Sequence, residues 1–85
     1  MTERDTTARI RRILAEHAKL ATDVDGLADD DDLYRLGLTS HASVTLMLAC
    51  EDEWDLEFPA HLLKKATFAS IAAIRDALVE QGVAP

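Results

Sequence analysis

Cysteine, proline, glycine, aromatic residues and long apolar runs are all scarce in this chain of 85 residues. Cys50 is the only cysteine, so no intrachain disulfide can form and a disulfide-stapled secreted fold is excluded. The first residues lack the apolar stretch of a signal peptide, and no apolar run approaches the length that spans a bilayer. These absences predict a cytoplasmic protein without a membrane segment.

Because aromatic residues, glycine and proline are few, we expect helices and an aliphatic core. The sequence has 3 Gly, 2 Pro, 2 Phe, 1 Trp and 1 Tyr, while 48% of its residues are hydrophobic. Ala, Leu, Ile and Val supply most of that share, and clusters of β-branched residues are rare. With no internal repeat and no linker, we expect a single domain over residues 1–85 and a monomer.

Basic residues are outnumbered, with 9 Lys and Arg against 16 Asp and Glu, which gives a formal net charge of −7. Such a chain repels polyanions, so nucleic acid is not an expected partner. Proteins with basic patches are its natural complements, because opposite charge speeds their encounter and sets their orientation. The alternative is that the acidity only keeps a small domain soluble.

Hydrophobic periodicity predicts an all-α fold, a small four-helix bundle of three main helices and one short helix with a long ordered first loop. The first helix runs from about residue 5 to residues 20–21, with Thr6 or Thr7 as its N-cap. Its apolar face continues to a half-buried His17. The second helix runs over residues 40–54 behind the N-cap Thr39.

The remaining helices are expected after an extended loop that turns Leu56 and Phe58 inward. Residues 60–65 are predicted to form the short helix, with Leu62 and Leu63 as its apolar anchors. The last helix is predicted to start at the cap Thr67 and to stop at Gly82, and its buried stripe comprises Phe68, Ile71, Ile74, Leu78 and Val79.

The segment between the first two helices carries no sustained period. Leucines at positions 27, 33, 36 and 38 are the expected anchors that pin this loop to the bundle. The acidic run over residues 29–32 lacks the spacing and the glycine of a calcium loop, so a solvated turn is expected there. A short helical turn over residues 31–36 is also predicted.

The second helix has apolar residues on two sides. One stripe, which comprises Leu46, Met47, Cys50 and Trp54, is assigned to the core. Val44 and Leu48 lie roughly opposite and form a candidate partner-facing patch, unless a neighbouring helix or the long loop covers them. The C-terminal end of the helix carries three acids, Glu51, Asp52 and Glu53, where the macrodipole disfavours negative charge. This local cost suggests that the acids have a role besides folding.

Ser40 lies where a glycine-containing loop turns into this helix. A helix start offers unpaired N–H groups and the positive end of the macrodipole, so it suits a phosphate ester on the serine. His41 does not make Ser40 a catalytic nucleophile, because adjacent helical side chains point about 100° apart. The three histidines have no metal-ligand spacing, so neither a catalytic residue nor a metal site is predicted.

These residues together resemble the acyl carrier protein family of phosphopantetheine-binding domains. The similarity is carried by DLYRLGLTS at residues 32–40, by Val44, and by LMLACEDEW at residues 46–54. It continues through residues 58–59 and through residues 67–68 into the last helix, so it covers nearly the whole chain and its order of elements.

The resemblance implies a carrier without catalytic activity. A phosphopantetheinyl transferase would place a 4'-phosphopantetheine arm from coenzyme A on Ser40, and the arm's thiol would hold an acyl or aminoacyl cargo as a thioester. An acyl- or amino-acid-activating ligase and a downstream acyltransferase or synthase are the further implied partners. In this family the helix after the serine is the docking surface, which implies partner contacts by Thr39, His41, Val44, Leu48, Glu51 and Asp52.

Three positions depart from the family pattern. Thr39 replaces the common Asp, His41 replaces an apolar residue, and Thr45 replaces an early acid. These differences speak against a housekeeping fatty-acid carrier and favour similarity to stand-alone aminoacyl carriers of specialised pathways. The competing interpretation is a helical interaction module that docks through its second helix and never receives a cofactor.

Overall fold

A computed structural model describes residues 2–20 and 23–84, with side chains from residue 6 onward. Over those residues the chain forms three α-helices: α1 (Thr2–His17), α2 (Ser40–Trp54) and α3 (Ile71–Glu80). Three short 3₁₀ helices, at Val24–Gly26, Ala60–Leu62 and Lys65–Phe68, lie in the connections. Helix α1 packs against both α2 and α3, and the last 3₁₀ helix contacts α2 and α3 as the fourth, short member. The predicted all-α bundle with its long first loop is confirmed.

Helix α1 begins earlier and ends earlier than its pattern predicted. Thr6 is not an N-cap, because the helix already starts at Thr2. Thr6 is buried within it, and its hydroxyl donates to the carbonyl of Ala84 at 2.6 Å. His17 is exposed rather than half-buried, since Ala18 continues the buried line of Ile10 and Leu14 at intervals of four residues. Residue 21, the far limit of the predicted end, lies outside the described residues.

Buried leucines pin the loop between α1 and α2, as predicted. Leu27, Leu33 and Leu38 are buried in the core, and Leu36 is half-buried. In place of the predicted helical turn, residues 33–37 form a tight turn in which the N–H groups of Leu36 and Leu38 both bond to the carbonyl of Leu33. The loop is therefore ordered by its own apolar side chains.

The acidic run of this loop contains a turn at residues 29–30, and its Asp30 and Asp32 are exposed, as expected of a solvated turn. Asp29 accepts hydrogen bonds from Arg11 of α1 at 2.8 Å and from Arg75 of α3 at 3.1 Å. Asp31 and Asp32 each accept a backbone N–H within the loop, at 2.8 Å and 3.0 Å. The prediction of a solvated turn therefore holds for Asp30 and Asp32, but it missed the role of Asp29, because the two arginines that face this residue come from α1 and α3.

Helix α2 has the boundaries that the sequence predicted. Leu46 and Cys50 are fully buried, while Met47 and Trp54 pack at the edge of the core. Trp54 is therefore only half-buried, and the guanidinium of Arg9 lies 5.5 Å from its ring centroid. This stacking of an arginine on an indole covers the exposed face of the ring.

The connection from α2 to α3 differs most from its prediction. The predicted helix over residues 60–65 is only the single turn Ala60–Leu62, and Leu63 is 51% exposed rather than an anchor. Phe58 is buried as predicted and meets Phe68 edge to face, with ring centroids 5.8 Å apart. A second turn, Lys65–Phe68, carries that ring into the core.

Helix α3 starts later than predicted. Its N-cap is Ser70, whose hydroxyl accepts the N–H of Ala73 at 3.0 Å. Thr67 lies instead within the preceding 3₁₀ helix, where it is buried. Val79 is exposed, and Ala77 takes its expected place in the buried stripe. The helix ends at Glu80, two residues before Gly82, whose φ of 98° requires a glycine.

Candidate functional site

Ser40 is the first residue of α2 and is exposed. The preceding Thr39 caps the helix: its hydroxyl accepts the N–H of Ala42 at 3.0 Å, and its carbonyl accepts the N–H of Ser43 at 2.9 Å. An α-helix leaves its first N–H groups without partners inside the helix, so donors and the positive dipole end remain available around Ser40. Access and local charge both suit an anionic group on this hydroxyl.

The loop before Ser40 brings the chain sharply into α2. Gly37 adopts a φ of 113°, a region that side chains disfavour, and its N–H bonds to the carbonyl of Tyr34. The buried Leu38 then anchors the last residue before the cap. These contacts hold Ser40 at the surface of the protein.

Ser40 has no activating base within the described part of the chain. His41 is exposed, and its imidazole forms no hydrogen bond or ion pair with a described residue. A serine becomes a nucleophile within a protein when a positioned base takes its proton. Across the same residues, no cluster of His, Cys, Asp or Glu has the geometry to hold a metal ion. Among the described residues, the Ser40 hydroxyl is thus exposed and no imidazole is hydrogen-bonded to it.

A groove of about 420 Å³ runs beside Ser40 between α2 and the segment that precedes α3. Its α2 wall includes Ser40, Val44 and Met47, and the opposite wall comprises Tyr34, Leu63, Lys64, Lys65 and Phe68. Sequence reasoning missed this groove, because residues 63–68 lie 16 to 28 positions after the α2 residues that they face and no local period joins the two segments.

The outward face of α2 carries the apolar pair that the sequence predicted. Val44 and Leu48 are 53% and 56% exposed, so neither the long loop nor a neighbouring helix covers them. Asp52, one turn beyond Leu48, is also exposed. An exposed apolar pair beside a carboxylate is a common make-up for a small docking surface.

Two of the three acids at the end of α2 have partners inside the protein. Glu51 accepts the backbone N–H of Phe58 at 2.9 Å, which ties the following loop to the helix. Glu53 pairs with Arg9 at 3.0 Å and with Arg12 at 2.7 Å, both from α1. The sequence did not reveal these partners, because the arginines are about 40 residues away. The unfavourable dipole contact of these acids is offset by ion pairs and by a hydrogen bond.

Cys50 belongs to the core and not to the site. Burial raises the pKa of its thiol from 9.0 to about 12, and the negative charges of Glu53 and Glu51 add to that rise. A thiol reacts as its thiolate, so this side chain is inert near neutral pH.

The structure is a small helical bundle that exposes one serine at the capped start of a helix. The chain matches the family model described as a phosphopantetheine attachment site over residues 8–78. The chain belongs to this family of phosphopantetheine-binding carrier proteins. It is thus a carrier and not an enzyme, and its cofactor is 4'-phosphopantetheine.

One relative and several solved structures are similar to this chain over most of its length. The chain is 55% identical to an aminoacyl carrier protein of Agrobacterium fabrum over 69 residues, which is 81% of this chain and 83% of that protein. It also matches a chain in the crystal structure of an engineered Bradyrhizobium japonicum glycine:carrier protein ligase complexed with carrier protein from Agrobacterium tumefaciens and ATP. That match has a TM-score of 0.85 and 51% identity, and it covers 88% of this chain and 97% of that one.

A more distant match concerns the Bradyrhizobium japonicum glycine:carrier protein ligase complexed with glycylated carrier protein. The TM-score is 0.64 at 25% identity, with 88% of this chain and 96% of the matched chain covered. Both matched chains have the size of a carrier, so the similarity concerns the carriers in these complexes. In the described part of this chain, no helix combines the length and the apolar character needed to cross a bilayer.

Proposed function

We propose that this chain is a stand-alone aminoacyl carrier that bears the 4'-phosphopantetheine arm on Ser40 and hands an amino acid between partner enzymes. The observation that carries the proposal is the exposure of Ser40 at the capped start of α2. The high identity to an aminoacyl carrier protein supports the aminoacyl cargo. Glycine is the first cargo to examine, because a structurally similar carrier has been captured in glycylated form.

The residues around Ser40 fit an attached phosphodiester. The hydroxyl is accessible to a second enzyme, and a phosphopantetheinyl transferase would join it to the arm from coenzyme A. The free N–H groups at the start of α2 then face the resulting negative charge, which the helix dipole also favours. When attached, the arm supplies a flexible thiol that holds the cargo as a thioester, so the protein needs only to display it and to be recognised.

Recognition is assigned to the outward face of α2. Val44 and Leu48 supply the apolar contact, and Asp52 supplies an exposed charge. Thr39 and His41 flank Ser40 and would meet any enzyme that reaches it. Glu51, which already accepts the N–H of Phe58, would contribute its charge to a partner without leaving that bond.

The proposed partners share one requirement, which is to bind and release the carrier quickly. They are a phosphopantetheinyl transferase, an amino-acid-activating ligase and a downstream acyltransferase or synthase. The net charge of −7 would steer the carrier towards basic docking sites, which raises the association rate more than the affinity. The similar carriers in complexes with a glycine:carrier protein ligase support the ligase as one partner.

Mass spectrometry after incubation with coenzyme A and a broad-specificity transferase tests the attachment. We expect the wild-type chain to gain one phosphopantetheine and Ser40→Ala to gain none. Ser43→Ala is the matched control, since Ser43 lies in the same first turn and should not affect the gain. A wild-type chain that stays unmodified would instead favour an interaction module that docks through α2 alone.

Ligation kinetics test the docking face. With ATP, glycine and an amino-acid-activating ligase, we expect Leu48→Ser to lower kcat/KM by about fivefold or more, as the loss of an apolar interface contact does. Val79→Ser is the control, because Val79 is an exposed apolar residue of α3. If the two variants had equal kcat/KM values, α2 would not be the docking surface.

A further inference from the structure

Two neighbouring cations line the groove beside Ser40 in a chain that is otherwise strongly acidic. Lys64 and Lys65 are both exposed, and neither forms an ion pair with a described residue. By contrast, four arginines of α1 and α3 form ion pairs with carboxylates: Arg9 and Arg12 with Glu53, and Arg11 and Arg75 with Asp29. The groove is thus a local positive site on an anionic protein.

One of the two lysines is held in place. The ammonium of Lys65 lies 4.7 Å from the ring centroid of Tyr34, and the hydroxyl of Tyr34 donates to the carbonyl of Lys65 at 3.1 Å. These two contacts join the loop before α2 to the segment before α3. A cation over an aromatic ring keeps its remaining N–H donors free, so Lys65 stays available to an anion in the groove.

We propose that Lys64 and Lys65 are positioning residues that pair with the phosphodiester on Ser40 and draw the first part of the arm into this groove. The inference rests on the attachment proposed above. Charge and tethering both favour the arm as the occupant of the groove. The arm begins with a negative charge on a residue that itself lines the groove, while the rest of the groove offers apolar walls from Met47, Leu63 and Phe68.

The placement has a consequence for docking. An arm that rests in the groove lies against residues 63–68 and leaves the outward side of Leu48 uncovered. The ion pair is exposed, and exposed pairs shift an equilibrium by only about two- to fivefold. The arm therefore samples the groove and still leaves it readily for an enzyme, and added salt weakens the preference.

Paramagnetic NMR of the modified protein tests this placement. A nitroxide maleimide is attached to the thiol of the arm, and the buried Cys50 remains unlabelled. The broadening of each backbone amide then reports its distance from the thiol end of the arm. The variants are Lys65→Gln, the double variant Lys64→Gln with Lys65→Gln, and Lys65→Arg, which keeps the charge. Lys19→Gln is the matched control, because Lys19 is exposed and lies outside the groove.

We expect broadening of the amide signals of residues 63–68 in the wild type. In Lys65→Gln, the paramagnetic relaxation rates of these amides should fall by about two- to fivefold. The double variant should lose more, whereas Lys65→Arg and Lys19→Gln should match the wild type. Unchanged broadening in the double variant, or none over residues 63–68 in the wild type, overturns the inference alone. A chain that gains no mass before labelling overturns the attachment and the inference together.

Discussion

Asp29 and Arg75 join the long loop to α3: Oδ2 of Asp29 lies 3.1 Å from Nη1 of Arg75. The other carboxylate oxygen of Asp29 lies 2.8 Å from Nη2 of Arg11 in α1. The hydrogen bond from Arg75 is the main cause that lowers the pKa of Asp29, partial burial opposes it, and the charges of Arg75 and Arg11 add to the lowering. One acidic residue thus holds together three parts of the chain.

Asp29→Asn is expected to lower the free energy of unfolding by about 1 kcal/mol or less, because the pair is partly exposed. Since the folded-state pKa lies below the ordinary value of 3.8, the contribution of Asp29 is complete above that pH and is lost as the pH falls through the folded pKa. The difference between variant and wild type should therefore shrink below about pH 4. Urea unfolding across pH 2.5–7 measures it, at intervals of about 1 pH unit. Asp30→Asn, at the exposed neighbour, should show no such difference.

Two buried threonines should respond to valine in opposite directions. The hydroxyl of Thr67 is buried without a hydrogen-bond partner among the described residues, whereas that of Thr6 donates to Ala84. Removing an unpaired buried hydroxyl relieves a desolvation cost, so Thr67→Val should raise the free energy of unfolding by about 1 kcal/mol. Thr6→Val should lower it by a similar amount. Urea midpoints of the two variants check this, and a loss of stability in both would show that Thr67 has a partner in solution.

The cap at the start of α2 gives a third prediction. Thr39→Ala should cost about 1 kcal/mol of stability, because the N–H of Ala42 loses its acceptor. Thr39→Asp should keep the cap and add a favourable charge at the positive dipole end. The melting temperature of Thr39→Asp should thus equal or exceed that of the wild type, and both should exceed that of Thr39→Ala. If Ala equalled Thr, the hydrogen bond of Thr39 would contribute nothing in solution.

Thiol counting gives a fourth prediction. With its pKa raised to about 12, the Cys50 thiol has about a thousandfold less thiolate at neutral pH than a thiol with the ordinary pKa of 9.0. The folded, unmodified chain should therefore react very slowly with a thiol-specific chromogenic reagent. Denaturation in urea should expose one thiol, and the modified protein should show one fast thiol while folded. Fast reaction of the folded, unmodified chain would place Cys50 at the surface.

Local sequence patterns predicted the structure correctly where the contacts that determine it lie within one helix. The limits of α2, its cap at Thr39 and the exposure of Val44 and Leu48 were all predicted from a period of 3.6 residues and from the hydroxyl that precedes it. The start of α3 was not, because Thr67 and Ser70 both belong to the residue types that are favoured as caps. The buried contact between Phe58 and Phe68 holds the segment around Thr67 in a separate 3₁₀ turn.

The sequence by itself determined the helical class, the family resemblance and the placement of one serine at a helix start, since these depend on residue type and short-range spacing. Only the tertiary structure decided which charges face each other: Asp29 with two arginines, Glu53 with two more, and the lysine pair beside Ser40. Charge pairs act through space, between residues that the chain separates by tens of positions. Their arrangement follows from how the helices pack, and no local pattern encodes it.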